Sequence, residues 1–212
     1  MADLFDVTFK PVDGSLSADA LLACADGQDV LVSSINDPLD ADLAPVATPF
    51  VVKPALGCGG EGVRLDATSA ADIARARLER PGETFLVQQL VEWTAIASHP
   101  AYFRAFWCLG DVHVCWWDPT TRFYAALDRD PDDAPGLLAG IRGVAEAIAR
   151  VSVMDLFSTE VALAPDGRIV SVDYVNDMCD LRPASLHPDG VPDAVVLAIA
   201  ARLAAATREV QP

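Results

Sequence analysis

The sequence predicts an α+β fold (α/β in the broad sense) in which antiparallel sheets are backed by helices. The first observation is a set of three hairpin patterns, each with two short apolar or alternating stretches around a turn or loop that contains glycine. The second is a set of helical segments, the clearest of which carries apolar residues at helical spacing over residues 136–151. At 212 residues, the chain can form one large domain or two small lobes.

These patterns divide the chain into three parts. Residues 1–49 form an N-terminal region, residues 50–92 form a small lobe around a glycine-rich loop, and residues 93–212 form a larger C-terminal lobe. The predicted elements, in chain order, are helix 17–24, strand 29–34, strand 50–54, strand 63–65, helix 70–79 capped by Thr68 or Ser69, strand 85–91, hairpin 102–117, helix 136–151, hairpin 157–174 and helix 194–208.

Charge and composition limit the classes of partner and compartment. The formal net charge is −16, with 31 acidic residues against 15 basic ones, so neither nucleic acid nor an anionic membrane surface is an expected partner. The five cysteines include no CxxC pair, which is typical of reduced thiols. The sequence has no signal-peptide pattern and no apolar run that could span a membrane, so we expect a soluble cytoplasmic protein.

The hairpin pattern over residues 157–174 brings two acidic residues together. Asp166-Gly167 is the signal of a two-residue turn, and a turn there places Glu160 directly opposite Asp173. Opposed side chains in antiparallel strands have Cβ atoms about 4.5–5.5 Å apart, where two like charges repel each other. A divalent cation such as Mg²⁺, which prefers carboxylate and phosphate oxygens, would relieve that repulsion. The alternative is that both acids lie on a solvated face without a ligand.

The same register sorts the rest of this hairpin into two faces. One face is apolar, and we expect it to pack on the core. Its opposed pairs are Leu163 with Val170, Val161 with Val172, and Thr159 with Tyr174. The other face carries small or acidic residues, namely Glu160, Ala162, Ser171 and Asp173.

Lysine is rare in this chain, which makes each lysine informative. The two lysines are Lys10 and Lys53, and Lys53 lies at the end of an apolar strand, where an unpaired charge would be costly to bury. A loop follows whose glycines allow backbone N–H groups to approach phosphate oxygens closely. These glycines are Gly57, Gly59, Gly60 and Gly62. The loop opens into a strand, which excludes a P-loop and a dinucleotide-binding turn, while a mobile surface turn is the alternative.

Six short motifs follow one another in a distinctive order. They are Phe50-Val-Val-Lys53-Pro, Gly57-x-Gly59-Gly60-x-Gly62-Val, Leu86-Val-Gln-Gln-Leu-Val-Glu92, Phe103-Arg104, Ser158-Thr-Glu160 and Asp173-Tyr-Val-Asn176. In this order and spacing, over about residues 50–183, the chain resembles the ATP-grasp superfamily of ATP-dependent carboxylate–amine or thiol ligases. The resemblance implies two lobes of antiparallel sheet plus helices, with a nucleotide between them.

The resemblance also implies a set of residues that bind ATP. Lys53 would contact the α-phosphate and the adenine side, and the loop from Gly57 to Gly62 would close over the triphosphate. Backbone groups of Gln89 and Val91 would contact the adenine edge. Glu92 is a candidate for binding the ribose hydroxyls.

A second implied set binds metal and stabilises charge. Glu160, Asp173 and Asn176 would hold two Mg²⁺ ions, or Mn²⁺ in their place, between the phosphates. Arg104 would stabilise the γ-phosphate or the acyl-phosphate. Arg182, in a loop after the last strand, is our candidate for binding an anionic substrate through two parallel hydrogen bonds.

The chain departs from the family pattern in three respects. Asp173 and Asn176 are three residues apart rather than two, so in a regular strand they would lie on opposite faces. We therefore predict a β-bulge at Tyr174-Val175, which would return Asn176 to the face of the metal site. The N-terminal region of about 50 residues is shorter than the family's, and the family's earlier ATP-binding lysine could be matched here only by Lys10.

We predict an ATP- and Mg²⁺-dependent ligase that activates a carboxylate as an acyl-phosphate for attack by an amine. A kinase on the same scaffold is one alternative, because the same residues serve phosphoryl transfer to a hydroxyl. A non-catalytic nucleotide-binding or interaction module is another, which the short N-terminal region favours. The acid and amine substrates are not specified by the sequence, and a homo-oligomer in which a second subunit completes the short lobe stays open.

Overall fold

A computed structural model describes residues 30–33, 47–56 and 59–209. Packing divides the chain into one unit that ends at Leu90 and another that begins at Val91. We call them the glycine-loop unit and the C-terminal unit. Each combines antiparallel sheet with helix, which confirms the predicted fold class. The predicted helix at 17–24 and Lys10 lie outside the described residues.

The glycine-loop unit contains a four-stranded antiparallel sheet and one helix. The elements are β1 (Val30–Ser33), β2 (Phe50–Pro54), β3 (Arg64–Ala67), α1 (Ala70–Glu79) and β4 (Phe85–Gln89). The strand order is β1-β4-β2-β3, so the segment before residue 50 contributes an edge strand to this unit. Aromatic, branched and small apolar side chains form the core between sheet and helix, namely Phe50, Val52, Ala67, Ile73, Ala76, Phe85 and Val87.

Helix α1 has the bounds that the sequence predicts, with Ser69 as its N-cap. The Asp72 carboxylate accepts hydrogen bonds from the backbone N–H groups of Thr68 and Ser69 at 3.0 and 3.1 Å. These bonds satisfy donors that a helix start leaves without partners, and they lower the pKa of Asp72, the bond from Thr68 most.

The described part of the glycine loop has left-handed backbone geometry and is tied to the end of α1. Gly59, Gly60 and Gly62 have φ angles of 67°, 77° and 77°, which residues with a Cβ rarely adopt. Between them, Glu61 pairs with Arg80 at 2.6 Å. A Cβ added to Gly62 would lie 2.8 Å from Arg80 Nε and 3.0 Å from a Pro54 carbon, so this glycine is also required sterically.

The C-terminal unit is built on a five-stranded antiparallel sheet in the order β11-β10-β7-β8-β9. Its elements are β5 (Ala95–Ile96), β6 (His99–Pro100), β7 (Tyr102–Cys108), β8 (Asp111–Trp117), β9 (Tyr124–Ala126), α2 (Leu137–Ser152), β10 (Leu156–Leu163), β11 (Ile169–Asn176) and α3 (Asp193–Glu209). Strands β5 and β6 form a separate two-stranded sheet. No helix in the described part of the chain has the length and apolar character needed to cross a lipid bilayer.

The two faces of the five-stranded sheet pack against different partners. One face meets α2, and its core includes Phe103, Phe157 and Val161 of the sheet with Ile141 and Ile148 of the helix. Part of the other face meets α3 and the loop before it, in a cluster formed by Phe106, Cys108, Cys115, Val191 and Ile199. Because strand residues alternate between faces, Tyr102 and Arg104 share this second face with Phe106.

The β10–β11 hairpin turns through three residues, so the predicted two-residue turn is wrong. Ala164 N–H donates to the Arg168 carbonyl at 2.8 Å, which leaves Pro165, Asp166 and Gly167 as the loop. Gly167 has a φ of 85°, as expected for the last residue of a three-residue hairpin loop. The longer loop shifts the register by one residue.

That shift makes two of the predicted pairs wrong but leaves the acidic pair intact. Leu163 pairs with Ile169 and Val161 with Ser171, so Ser171 lies on the face predicted to be apolar. A bulge at Val172 then absorbs one residue, and Glu160 pairs with Asp173 as predicted. A second irregularity follows, because Ser158 pairs with Asn176 and Tyr174-Val175 lies opposite Thr159 alone. The predicted bulge at Tyr174-Val175 is thereby confirmed.

Helix α2 ends at a strained residue that offers a test of the backbone geometry. Val153 has a φ of 56°, a left-handed conformation that is unfavourable for a β-branched side chain, and it is 86% exposed. We expect Val153→Gly to raise the free energy of unfolding by about 1 kcal/mol, measured by thermal or urea unfolding. Val151→Gly is the control: Val151 is 71% exposed but helical, so this variant should lower the free energy of unfolding by about 0.5 kcal/mol. Equal effects would contradict the assigned geometry.

The glycine loop gives a second test. Gly62→Ala and Gly59→Ala impose the same left-handed strain, but a Cβ at position 59 meets nothing within 4 Å. We expect Gly62→Ala to lower the free energy of unfolding by about 1–2 kcal/mol more than Gly59→Ala, because it displaces Arg80 from Glu61. Chemical denaturation of the two variants measures the difference. An equal loss would mean that the contact with Arg80 does not hold the loop.

Candidate active site

The two bulges place three predicted metal ligands on one face of the sheet. Glu160 lies opposite Asp173, and two residues along β10 Ser158 lies opposite Asn176. Opposed residues in an antiparallel pair share a face, as do residues two apart in one strand. Glu160, Asp173 and Asn176 therefore share a face, which a regular β11 would not allow.

Glu160 is held at both of its carboxylate oxygens. Arg104, its partner on β7, forms a short ion pair from Nη2 to Oε1. The Tyr102 hydroxyl donates to Oε2 at 2.7 Å. The Glu160 side chain is only 15% exposed, so these two donors compensate for much of the cost of removing its charge from water.

Arg104 is a buried residue of this cluster rather than an exposed one. It is 8% exposed, and its Cζ lies 4.7 Å from the centre of the Trp117 ring. Its Nη1 also lies 3.4 Å from the Ser158 hydroxyl oxygen. Within the described part of the chain, Arg104 Nε is buried without a hydrogen-bond partner. The predicted contact of Arg104 with the γ-phosphate stays a prediction, and its guanidinium is engaged with Glu160.

Tyr102 is enclosed by two tryptophans and was not predicted from the sequence. Its ring lies 5.2 Å from that of Trp93 in an edge-on arrangement and 5.5 Å from that of Trp117. Burial, followed by the neighbouring Glu160 carboxylate, raises the pKa of the Tyr102 hydroxyl well above its ordinary value. The group therefore stays protonated and acts as a donor. Its position two residues before Arg104, hence on the same face, is the sequence signal that could have identified it.

The bulged backbone next to Asp173 is held by a side chain from β10. Thr159 Oγ1 donates to the Asp173 carbonyl at 3.0 Å and lies 3.3 Å from the Ser171 hydroxyl. Asp173 itself is exposed, and Asn176 is half-buried. The Cys179 thiol lies 3.6 Å from the Asn176 carbonyl. Thr159 therefore stabilises the irregular backbone at the point where the site requires it.

The predicted ligands suit a hard cation, although there are only three of them. Two carboxylates and an amide oxygen are the ligand types that Mg²⁺ and Mn²⁺ prefer. Among the described residues, no three His, Cys, Asp or Glu side chains are grouped so that they could share a metal ion. A cation at Glu160 and Asp173 would thus also need Asn176 and oxygens from a substrate phosphate or water.

Arg182 is engaged with two carboxylates outside this cluster. It donates to Asp180 at 2.7 Å and to Asp189 at 3.0 Å. The hydrogen bonds with Asp180 contribute most to raising the pKa of Arg182, and those from Arg182 lower the pKa of Asp180. Arg182 thus stabilises the loop that contains it through these two ion pairs. Its contact with an anionic substrate stays a prediction.

The predicted nucleotide contacts lie on or next to two neighbouring strands. Lys53, on β2, is half-buried and opposite Leu86 of β4, while Gln89, at the end of β4, is exposed. Val91 and Glu92 follow β4 and are half-buried and exposed respectively. Gly59, Gly60 and Gly62 lie in the described part of the loop, whereas Gly57 lies outside it. Their roles toward ATP stay predictions.

Of the comparisons with known proteins, only the comparison with solved structures finds matches. No protein-family model matches it, and no curated protein matches its sequence. Three similar solved structures are a RimK domain protein ATP-grasp from Sphaerobacter thermophilus DSM 20745, the D-cycloserine synthetase DcsG, and a D-alanine–D-alanine ligase from Helicobacter pylori.

The likenesses are partial. Identities are 22%, 22% and 14%, TM-scores are 0.48, 0.48 and 0.45, and the matches cover 74%, 73% and 73% of this chain. They cover 52%, 54% and 50% of the solved chains, so this chain spans about half the length of the structures it matches. At these identities and TM-scores, the likenesses by themselves carry no conclusion about reaction or substrate.

Proposed function

We propose that the chain is an ATP- and Mg²⁺-dependent ligase that activates a carboxylate and joins it to an amine. One observation supports the proposal above the others. The bulge at Tyr174-Val175 places Asp173 and Asn176 on the face that carries Glu160. Bulges next to active sites re-aim side chains, and a site for a phosphate-bound cation needs these oxygens together.

The proposed reaction has two steps. A carboxylate oxygen of the acid substrate attacks the γ-phosphorus of ATP, the bond to the β,γ-bridging oxygen breaks, and ADP leaves. The amine nitrogen then attacks the acyl carbon, inorganic phosphate leaves with the electrons of the C–O bond, and the nitrogen loses a proton. The protein supplies mainly position and charge compensation in such a reaction.

Residues of the C-terminal unit would provide the metal-binding part of the site. Glu160, Asp173 and Asn176 would hold the divalent cation, which when bound neutralises phosphate charge. Arg104 would hold Glu160 in place through their ion pair. In the glycine-loop unit, Lys53 and the backbone N–H groups of the loop would bind phosphate oxygens.

A substrate panel tests the reaction class. Purified protein with ATP and Mg²⁺ is offered carboxylic acids and amines, singly and in pairs, and ADP and phosphate are measured. Phosphate release that requires both an acid and an amine supports a ligase. A stable phosphorylated product would indicate a kinase in place of a ligase. Binding of ATP without ADP formation across the panel would favour a non-catalytic nucleotide-binding module.

The metal site makes a prediction about one carboxylate. We expect Asp173→Asn to abolish Mg²⁺-dependent ATP binding, measured by calorimetry, while leaving the melting temperature nearly unchanged, because the side chain is exposed. Asp155→Asn is the control: Asp155 is also exposed and its replacement changes the net charge equally, but it precedes β10 and is not one of the proposed ligands. ATP affinity that survives Asp173→Asn would contradict the metal site.

The glycine-loop unit makes a separate prediction. We expect Lys53→Ala to weaken ATP binding by about tenfold or more, as the loss of a charge-assisted hydrogen bond to phosphate would. Lys10→Ala removes the same charge and should have a smaller effect. Equilibrium binding of a fluorescent ATP analogue compares the two variants, and the reverse ranking would mean that Lys53 is not the phosphate-binding lysine.

A further inference from the structure

Tyr102 has no role in the reaction proposed above, yet it contacts the carboxylate on which that reaction depends. Its hydroxyl donates to Oε2 of Glu160 at 2.7 Å, while Arg104 donates to Oε1. One donor fixes the position of a carboxylate oxygen but allows the carboxylate plane to rotate, because the terminal torsion of Glu is broad. A second donor on the other oxygen fixes the plane as well.

Both donors are restrained by the same aromatic ring. Trp117 packs on Tyr102 with ring centroids 5.5 Å apart and lies 4.7 Å from the Arg104 guanidinium carbon. Trp93 contacts the phenol edge-on at 5.2 Å. Tyr102 is 4% exposed, so its hydroxyl cannot exchange Glu160 for bulk water without a rearrangement of this packing.

A carboxylate that is fixed in this way is suited to bind a cation. Orienting a ligand before the cation arrives removes an entropic cost from binding. Hydrogen-bond partners of metal-binding side chains commonly contribute 10- to 100-fold to metal affinity for this reason. Asp173, opposite Glu160, is exposed, so Glu160 is the less exposed member of the pair.

We propose that Tyr102 is a positioning residue that holds the Glu160 carboxylate in the orientation in which it binds the divalent cation. The inference rests on the proposed function, because it assumes that Glu160 is a metal ligand. It adds a residue to the site that acts through Glu160 and does not itself contact the substrate. The indole of Trp117 supports it by restraining both Tyr102 and Arg104.

Direct binding of Mn²⁺ to the whole chain tests the proposal without turnover. Mn²⁺ uses the same oxygen ligands as Mg²⁺, and the electron paramagnetic resonance signal of free Mn²⁺ gives its dissociation constant. We expect Tyr102→Phe to bind Mn²⁺ about tenfold more weakly than the wild-type chain, since Arg104 still holds one oxygen. Circular dichroism of both proteins checks that the fold is retained.

Tyr124→Phe is the matched control, since it also removes a phenol hydroxyl beside Trp117. The Tyr124 and Trp117 rings are 6.4 Å apart, but the phenol hydroxyl that donates to Glu160 is that of Tyr102. We expect Tyr124→Phe to retain wild-type Mn²⁺ affinity. A second variant, Trp117→Phe, keeps the Tyr102 hydroxyl but shrinks the ring that restrains it, and we expect a smaller loss of about threefold.

The outcomes separate the inference from the proposed function. Equal Mn²⁺ affinity in wild type and Tyr102→Phe, or an equal loss in Tyr124→Phe, would overturn the positioning role and leave the proposed function standing. Failure of the wild-type chain to bind Mn²⁺, with or without a non-hydrolysable ATP analogue, would overturn the proposed function and the inference with it. If Tyr102→Phe does not fold, unchanged affinity in Trp117→Phe overturns the positioning role.

Discussion

Strand β10 meets its two neighbours with different backbone geometries, and the candidate site depends on that difference. Against β7 the pairing is regular from Leu156 to Ala162, which holds Arg104 opposite Glu160. Against β11 it is interrupted on both sides of the Glu160–Asp173 pair. Each extra residue reverses the faces of the residues beyond it, so an acid and an amide three positions apart reach the same face. The pairing with β7 is regular, and the irregular pairing with β11 brings the proposed ligands to one face.

Local signals predicted the elements well, whereas the register of the last hairpin depended on two effects that cancel. The bounds of α1 follow from a cap and a stop signal, and they are correct. The Asp166-Gly167 pair fits a two-residue and a three-residue turn equally well, and the structure contains the second. The bulge at Val172 restores the Glu160–Asp173 pair, but no residue type nearby marks it. The bulge at Tyr174-Val175 could be predicted only because Asp173 and Asn176 are three residues apart, and a regular strand would place them on opposite faces.

Burial distinguishes the two arginines that the sequence made candidates for the site. Arg182 pairs with two acids near the surface, where such pairs contribute little to stability. Arg104 pairs with Glu160 away from water, where removing one partner of an ion pair commonly costs about 3–5 kcal/mol. Loss of either partner of the Arg104–Glu160 pair would therefore cost more stability than loss of a partner of the Arg182 pairs. The sequence could not show this, because Arg104 and Glu160 are 56 residues apart and the packing around them is a tertiary property.

The packing of Trp93 and Trp117 around Tyr102 has a practical consequence. Both indoles contact the phenol that binds Glu160, whereas Trp107 and Trp116 lie on the opposite face of the sheet, with Trp116 against Phe103. Indole absorption and emission respond to nearby charge and to exposure to water. Any event that displaces Glu160 would thus alter the near-ultraviolet spectrum of the protein, so the chain contains intrinsic chromophores that report on its own acidic centre.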